Sequence, residues 1–174
     1  TGEYKPDEVK PSLSPSMDIQ VSSNFERLLF DILNGDDKKV SLLMNDLKTK
    51  GFFKLDHELV KIIKKDFCAE KINDEETLAI IKKLNIESKF ILDPHTSTAV
   101  GAAEKISNLS ETIILGTAHP YKFLETVEKA TGIEIKAPPQ LSNLVDKEER
   151  FDILEKNNSK IKNYILEKTI WKLK

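Results

Sequence analysis

Three short stretches of the sequence hold residue types suited to binding an anion or a heterocycle. In the first, Ser22-Ser23-Asn24 precedes a run in which Phe25, Leu28, Leu29, Ile32 and Leu33 recur at helical spacing. These polar residues therefore stand at a helix N-terminus. Two readings of that terminus stay open. Ser23 and Glu26 have the spacing of a capping box, in which the serine oxygen takes a first-turn N–H and the glutamate reaches back to the cap. Alternatively, free first-turn N–H groups, the positive end of the helix dipole and the guanidinium fork of Arg27 form a seat for phosphate or carboxylate. Arg27 stands out in composition, because Arg27 and Arg150 are the only arginines among 27 basic residues.

The second stretch is Asp93-Pro94-His95-Thr96-Ser97-Thr98, an N-cap aspartate followed by proline at the first helical position. It follows an apolar run at residues 90–92. The third, Gly116-Thr117-Ala118-His119-Pro120, follows a strand-like run at residues 112–115. In open α/β sheets, ligands sit outside the carboxyl ends of the strands, which is where both loops fall. Gly116 permits close backbone approach, and Thr117 offers a neutral hydroxyl able to hydrogen-bond a ring nitrogen without charging it. His95 or His119 would face the same crevice. Each loop also reads, without any ligand, as a well-made helix start or a tight turn.

The elements that must hold these loops can be placed from periodicity. Residues 1–16, punctuated by Pro6, Pro11 and Pro15, read as an extended segment lying on a surface. Helices are expected at 24–33, stopped by Asn34-Gly35, then at 36–50, ended by Gly51, at 56–67 and at 74–84. Two strand-loop-helix units follow, with strands at 90–92 and 112–115 and helices at 98–107 and 121–130, the last ending near Gly132. After Pro138-Pro139 a lysine-rich tail carries one or two helices within 145–172. The expected fold class is α/β, helix-rich, with short parallel strands and a small helical insert. It divides into an extended segment and first helix (1–35), the insert (36–88), the strand-loop-helix units (89–145) and a C-terminal helical tail (146–174).

Composition excludes several classes of function. The 174 residues balance 27 basic against 29 acidic side chains, which lacks the basic stripe of a nucleic-acid binder. No apolar run approaches the ~20 residues of a membrane span and no signal-peptide core is present, so the chain is expected to be cytoplasmic. Cys68 alone cannot build a disulfide framework or a cysteine-only zinc site, and His57, His95 and His119 have no metal-ligand spacing. The tail lysines alternate with Ile161, Tyr164, Ile165, Ile170 and Trp171, as in an amphipathic helix with a solvated face.

The same loops carry a family resemblance. Thr1-Gly2-Glu3-Tyr4, Leu13-Ser14-Pro15-Ser16-Met17-Asp18-Ile19 and Ser22-Ser23-Asn24-Phe25-Glu26-Arg27-Leu28-Leu29 resemble the threonine synthase family, in its bacterial and yeast branch. Asp93-Pro94-His95-Thr96 and Leu115-Gly116-Thr117-Ala118-His119-Pro120-Tyr121-Lys122-Phe123 match it in the same order. The resemblance spans residue 1 to about residue 145 and fades in the tail. It implies the C-terminal part of a fold-type II pyridoxal-phosphate lyase, one that turns O-phospho-L-homoserine and water into L-threonine and phosphate. The cofactor's ring would serve as electron sink for elimination of the phosphate and hydration. The resemblance further implies that Thr117, beside Gly116, faces the pyridine nitrogen. By the same carry-over Ser23, Asn24 and Arg27 bind the substrate's phosphate or carboxylate, and His95 and His119 shape the pocket. No catalytic residue is expected in this chain: the Schiff-base lysine and the cofactor's glycine-rich phosphate cradle are expected before Thr1, in an N-terminal portion that acts as its partner. Alone, the chain is expected to be inactive. A non-catalytic phosphate-ester-binding module and another fold-type II amino-acid lyase are the alternatives.

Overall fold

In the computed structural model, residues 1–106, 111–142 and 147–169 are described. They form two compact units, Thr1–Lys136 and Ala137–Lys174.

The first unit begins with the proline-punctuated segment, which is held at both ends. Strand β1 (Glu3–Tyr4) pairs antiparallel with β2 (Phe53–Lys54) in a two-stranded sheet. The Tyr4 ring packs near-parallel against both Phe25 and Phe53, with centroids 5.1 and 5.0 Å away and interplanar angles of 7° and 9°, and the two phenylalanine rings lie 6.5 Å from each other. Its hydroxyl donates to the Gln20 carbonyl at 2.9 Å and accepts the Ser22 N–H at 3.0 Å. One aromatic residue thus fixes the path of the chain into helix α1 (Ser23–Ile32). Helices α2 (Asp37–Lys50) and α3 (His57–Asp66) complete this half. Asp36 and Asp56 cap them by accepting the Lys39 and Leu59 N–H groups, and Gly51 closes α2 in the left-handed conformation at φ 81°. Leu29, Val40, Phe53 and Leu55 are the buried centre.

A second core in the same unit gathers Ile80, Ile81, Leu92 and Val127. Helix α4 (Asp74–Ser88) packs there against α5 (Pro94–Ile106) and α6 (Leu124–Thr131). A capping box does form in this protein, at α4: Asn73 accepts from Glu76 N–H while the Glu76 carboxylate accepts from Asn73 N–H. Helix α4 runs four residues beyond the expected end because nothing breaks it before Lys89, which takes a left-handed φ of 59°. Helix α5 starts at Pro94 rather than 98, since Asp93 caps it. A 3-10 turn, Pro120–Phe123, precedes α6, which ends at Gly132.

The helix-rich character is as expected, but the runs at 90–92 and 112–115 form no ladder among the described residues. A strand exists through hydrogen bonds to a neighbour, and no described segment lies alongside either run as a strand. Leu92 is instead inserted into the second core, while Phe90, Ile113 and Leu115 are 62%, 87% and 73% exposed. In the second unit, helix α7 (Asn158–Lys168) is capped by Asn157, and Tyr164 donates to the Asp152 carboxylate. Ser107, residues 145–146 and residues 170–172, over which the expected helices extend, lie outside the described residues.

Two outcomes test this packing. Gly101 lies at the α4–α5 contact, where an added Cβ would meet Ile80 Cδ1 at 2.5 Å and Ile72 Cδ1 at 2.9 Å. The helix-propensity gain of ~1 kcal/mol is offset by overpacking of ~1–3 kcal/mol, partly relieved by those flexible side-chain ends. Gly101→Ala therefore lowers unfolding free energy by about 1 kcal/mol and Gly101→Leu by about 3 kcal/mol or more, read from urea denaturation. Separately, the Lys105 ammonium, 2.7 Å from Glu76, and the Asn73 N–H hold the Glu76 carboxyl below its ordinary value. A depressed carboxylate stabilises the folded state above its unfolded value, and that contribution is lost as pH falls through the folded value. Stability accordingly declines on acidification through the carboxylate range, and Glu76→Gln flattens part of that decline in pH-dependent thermal melts.

Candidate functional site

Three segments distant in sequence converge on the first turn of α5. Its cap, Asp93, is 2% exposed, and its Oδ1 accepts the N–H groups of His95 at 2.9 Å and Thr96 at 3.2 Å. Its Oδ2 takes a short hydrogen bond from the Thr96 hydroxyl. From the N-terminal segment, the Ser14 hydroxyl donates to the Pro94 carbonyl at 3.0 Å and the Ser16 N–H donates to His95 Nε2 at 3.1 Å. From the loop before α6, the Thr117 N–H donates to Thr96 Oγ1 at 3.2 Å.

The bond from Ser16 fixes the state of His95. A ring nitrogen that accepts carries no proton, so the neutral imidazole holds its hydrogen on Nδ1. That atom lies 3.4 Å from Asp93 Oδ1 without hydrogen-bond geometry, a charge–dipole attraction inside a site where His95 is 4% exposed. Phe123 covers the ring at a centroid distance of 4.7 Å. His95 therefore sits behind the surface as part of the wall's support. His119 is at the surface, where its Nδ1 accepts the Tyr121 N–H at 3.1 Å and caps the turn into α6.

Beside this network opens a cavity of about 430 Å³, lined by Asp93, Thr96, Gly116, Ala118 and His119 together with Phe90, Ile91, Leu92, Pro120 and Ile135. Its walls are mainly apolar with a few convergent polar groups, the usual make-up of a small-molecule site. Thr117 is on the rim between two lining residues, exposed, with its hydroxyl making no hydrogen bond among the described residues. A Cβ on Gly116 would meet nothing within 4 Å, so any need for glycine there comes from something outside the described residues.

The Ser23 region forms a separate cavity of about 390 Å³, lined by Ser23, Glu26, Arg27, Phe30, Asp37, Val40 and Ser41. The two cavities share no lining residue. The capping box read from Ser23 and Glu26 does not form. Ser22 is the N-cap, without a side-chain cap bond, and the third helical position is Phe25, whose ring is committed to Tyr4. Stacking sets the helix start one residue early; the Phe25 N–H donates to the Ser22 carbonyl at 3.1 Å, and the Ser23 and Asn24 N–H groups are left to a ligand or solvent. Arg27 has no ion-pair partner among the described residues, although two carboxylates, Glu26 and Asp37, line the same cavity. Asn24 is exposed on the same turn and outside that lining.

Asp93 was legible as a cap, but Thr96, Ser14 and Ser16 were not singled out for any role. Thr96 stands at the third helical position after an aspartate cap, a spacing that brings its hydroxyl back to the carboxylate. The serines carried no local signal, because their partners lie 80 and 79 residues away.

This arrangement, a helix-rich chain with a polar loop network beside an apolar cavity, can be set against known proteins. Residues 96–165 match the family described as threonine synthase, C-terminal, so the match runs past the point near residue 145 where the motif resemblance fades. Threonine synthase of Pseudomonas aeruginosa is 40% identical over 165 residues, covering 93% of this chain and 35% of that protein. Threonine synthase of Saccharomyces cerevisiae is 41% identical over 142 residues, covering 71% and 28%. The crystal structure of PLP-bound threonine synthase from Brucella melitensis superposes with a TM-score of 0.80 at 37% identity, covering 95% of this chain and 36% of that one. In sequence and in fold the chain is similar to part of the threonine synthases, and its residues 96–165 to their C-terminal family model. It spans about a third of the length of the relatives it matches.

The Asp93 network has a measurable weight. Removing a buried carboxylate that accepts three donors leaves those donors unsatisfied, at about 1–3 kcal/mol for the first and less for the rest. Asp93→Ala lowers unfolding free energy by about 3 kcal/mol and Asp93→Asn by less, as measured by urea denaturation of the protein.

Proposed function

We propose that this chain is the C-terminal part of a pyridoxal-phosphate-dependent threonine synthase that converts O-phospho-L-homoserine and water into L-threonine and phosphate. The observation that carries this reading is the agreement in fold over 95% of the chain with a threonine synthase described as PLP-bound. The donor set suits that cofactor. An apolar cavity with an unsatisfied neutral hydroxyl on its rim accepts a pyridine ring whose nitrogen needs a hydrogen bond and no charge.

When bound, pyridoxal phosphate supplies the electron sink that makes elimination of the phosphate and hydration accessible. In this reading Thr117 meets the ring nitrogen, and Gly116 leaves the adjacent wall open for the ring to approach. His119 closes the same wall, and His95 holds it from behind. The uncapped first turn of α1 and the Arg27 guanidinium bind the substrate's phosphate or carboxylate, with Ser23 and Asn24 as neighbouring donors. Because the two cavities share no lining residue, the ring and the anionic end of the substrate are served by separate surfaces of the chain. The lysine that carries the cofactor comes from the N-terminal portion of the complete fold-type II protein. No described helix is long and apolar enough to cross a membrane, and a cytoplasmic location fits a biosynthetic enzyme of this kind.

The test is phosphate release by the full-length protein. Equal amounts of phosphate and L-threonine from O-phospho-L-homoserine are expected, whereas turnover of serine without turnover of the phosphate ester would overturn the assignment. In that assay Arg27→Ala raises KM about tenfold or more, as loss of a charged hydrogen bond of ~1.5–3 kcal/mol requires, and Thr117→Val lowers kcat while Thr117→Ser retains it.

A further inference from the structure

We propose that Thr96 is a positioning residue whose hydroxyl, oriented by the Asp93 carboxylate, holds the Thr117 loop at the rim of the cavity. The inference rests on the reading of Thr117 as the ring nitrogen's partner.

The argument starts from the direction of the hydrogen bonds. A carboxylate only accepts, so the hydroxyl hydrogen of Thr96 points to Asp93 Oδ2. The remaining lone pairs of that oxygen then face outward, and the Thr117 N–H donates into them at 3.2 Å. Rotation of the hydroxyl away from Asp93 would place a hydrogen against the Thr117 N–H, so the arrangement has one allowed polarity. Asp93 is itself fixed by the His95 and Thr96 N–H groups, and Thr96 is 5% exposed. The rigid first turn of α5 thereby passes its position to the loop through a single oxygen.

Beyond Thr112, the loop has few hydrogen bonds among the described residues. Residues 112–117 adopt no helix or strand, and Gly116 and Thr117 are exposed. Among the described residues, the bond to Thr96 is the hydrogen bond that ties residues 113–118 to another element. Thr117 on a helix or strand would inherit its position from a backbone ladder. Here it depends on the side chain of a residue 21 positions earlier, which the cavity shares as a lining residue. Thr96 touches neither the ring nitrogen nor the reacting atoms in this reading. Its effect on turnover passes entirely through where Thr117 stands.

The experiment compares full-length wild type, Thr96→Val, Thr96→Ser and Thr96→Ala. Valine keeps the shape and removes the hydroxyl. Serine keeps the hydroxyl. Alanine avoids a methyl group against the carboxylate and serves where the valine variant does not fold. Hydrogen–deuterium exchange of the peptide containing Thr117, measured without cofactor, is expected to accelerate about tenfold in the valine and alanine variants and to stay at the wild-type rate in the serine variant. With cofactor bound, the same two variants are expected to shift the visible absorbance of the pyridine chromophore and lower kcat with little change in KM, and serine is expected to restore both. Unchanged exchange at Thr117 in the valine and alanine variants overturns the positioning role. Faster exchange with an unaltered chromophore upholds it and overturns instead the assignment of Thr117 to the ring nitrogen.

Discussion

The burial of one carboxylate organises the part of this chain where a ligand would sit. Asp93 is almost fully enclosed, and an ion in that position is tolerated only when its oxygens are saturated with donors. Saturation here does several jobs together. The two N–H groups start α5, the Thr96 hydroxyl links outward to the Thr117 loop, and the His95 ring, whose Nδ1 lies 3.4 Å from the carboxylate, takes the Ser16 N–H on Nε2. Loop, helix and N-terminal segment are therefore placed relative to one another by polar contacts around a single charge. The apolar packing behind them, Ile80, Ile81, Leu92 and Val127, supplies the dry surroundings in which those contacts are strong.

Much of this was visible in the sequence where the signal is local. Asp36, Asp56 and Gly51 mark helix boundaries because caps and left-handed glycines act within a turn of their own position. The start of α5 was readable from Asp93-Pro94, yet the alanine-rich stretch drew the expected helix four residues too late. The error at Ser23 has a different origin. Its spacing from Glu26 satisfies a local rule, but the helix start was decided by Phe25 stacking on Tyr4, a contact made across the sheet with Phe53. Likewise the runs at 90–92 and 112–115 have strand composition, while a ladder depends on a neighbour that composition cannot supply.

The candidate site divides in the same way. Thr117, His119 and the Asp93 loop were singled out by residue type at the ends of apolar runs, and the structure brings His119 and the Asp93 loop to one cavity, with Thr117 beside it on a backbone bond to Thr96. Arg27 was singled out by its rarity, and it lies in another cavity, beside its sequence neighbour Glu26 and beside Asp37, which spacing gave no reason to place there. The residues that knit the first cavity's wall, Ser14, Ser16 and Thr96, are ordinary in type. Their importance is created by contacts spanning 21 to 80 positions.

The unladdered run at 112–115 has a consequence of its own. Ile113 and Leu115 present large apolar side chains almost wholly to solvent, on a backbone whose N–H and C=O groups have no strand beside them among the described residues. A segment of that kind is a template for pairing with whichever chain meets it first. During synthesis another copy of the chain can pair with it while it stays exposed, which favours aggregation over soluble protein.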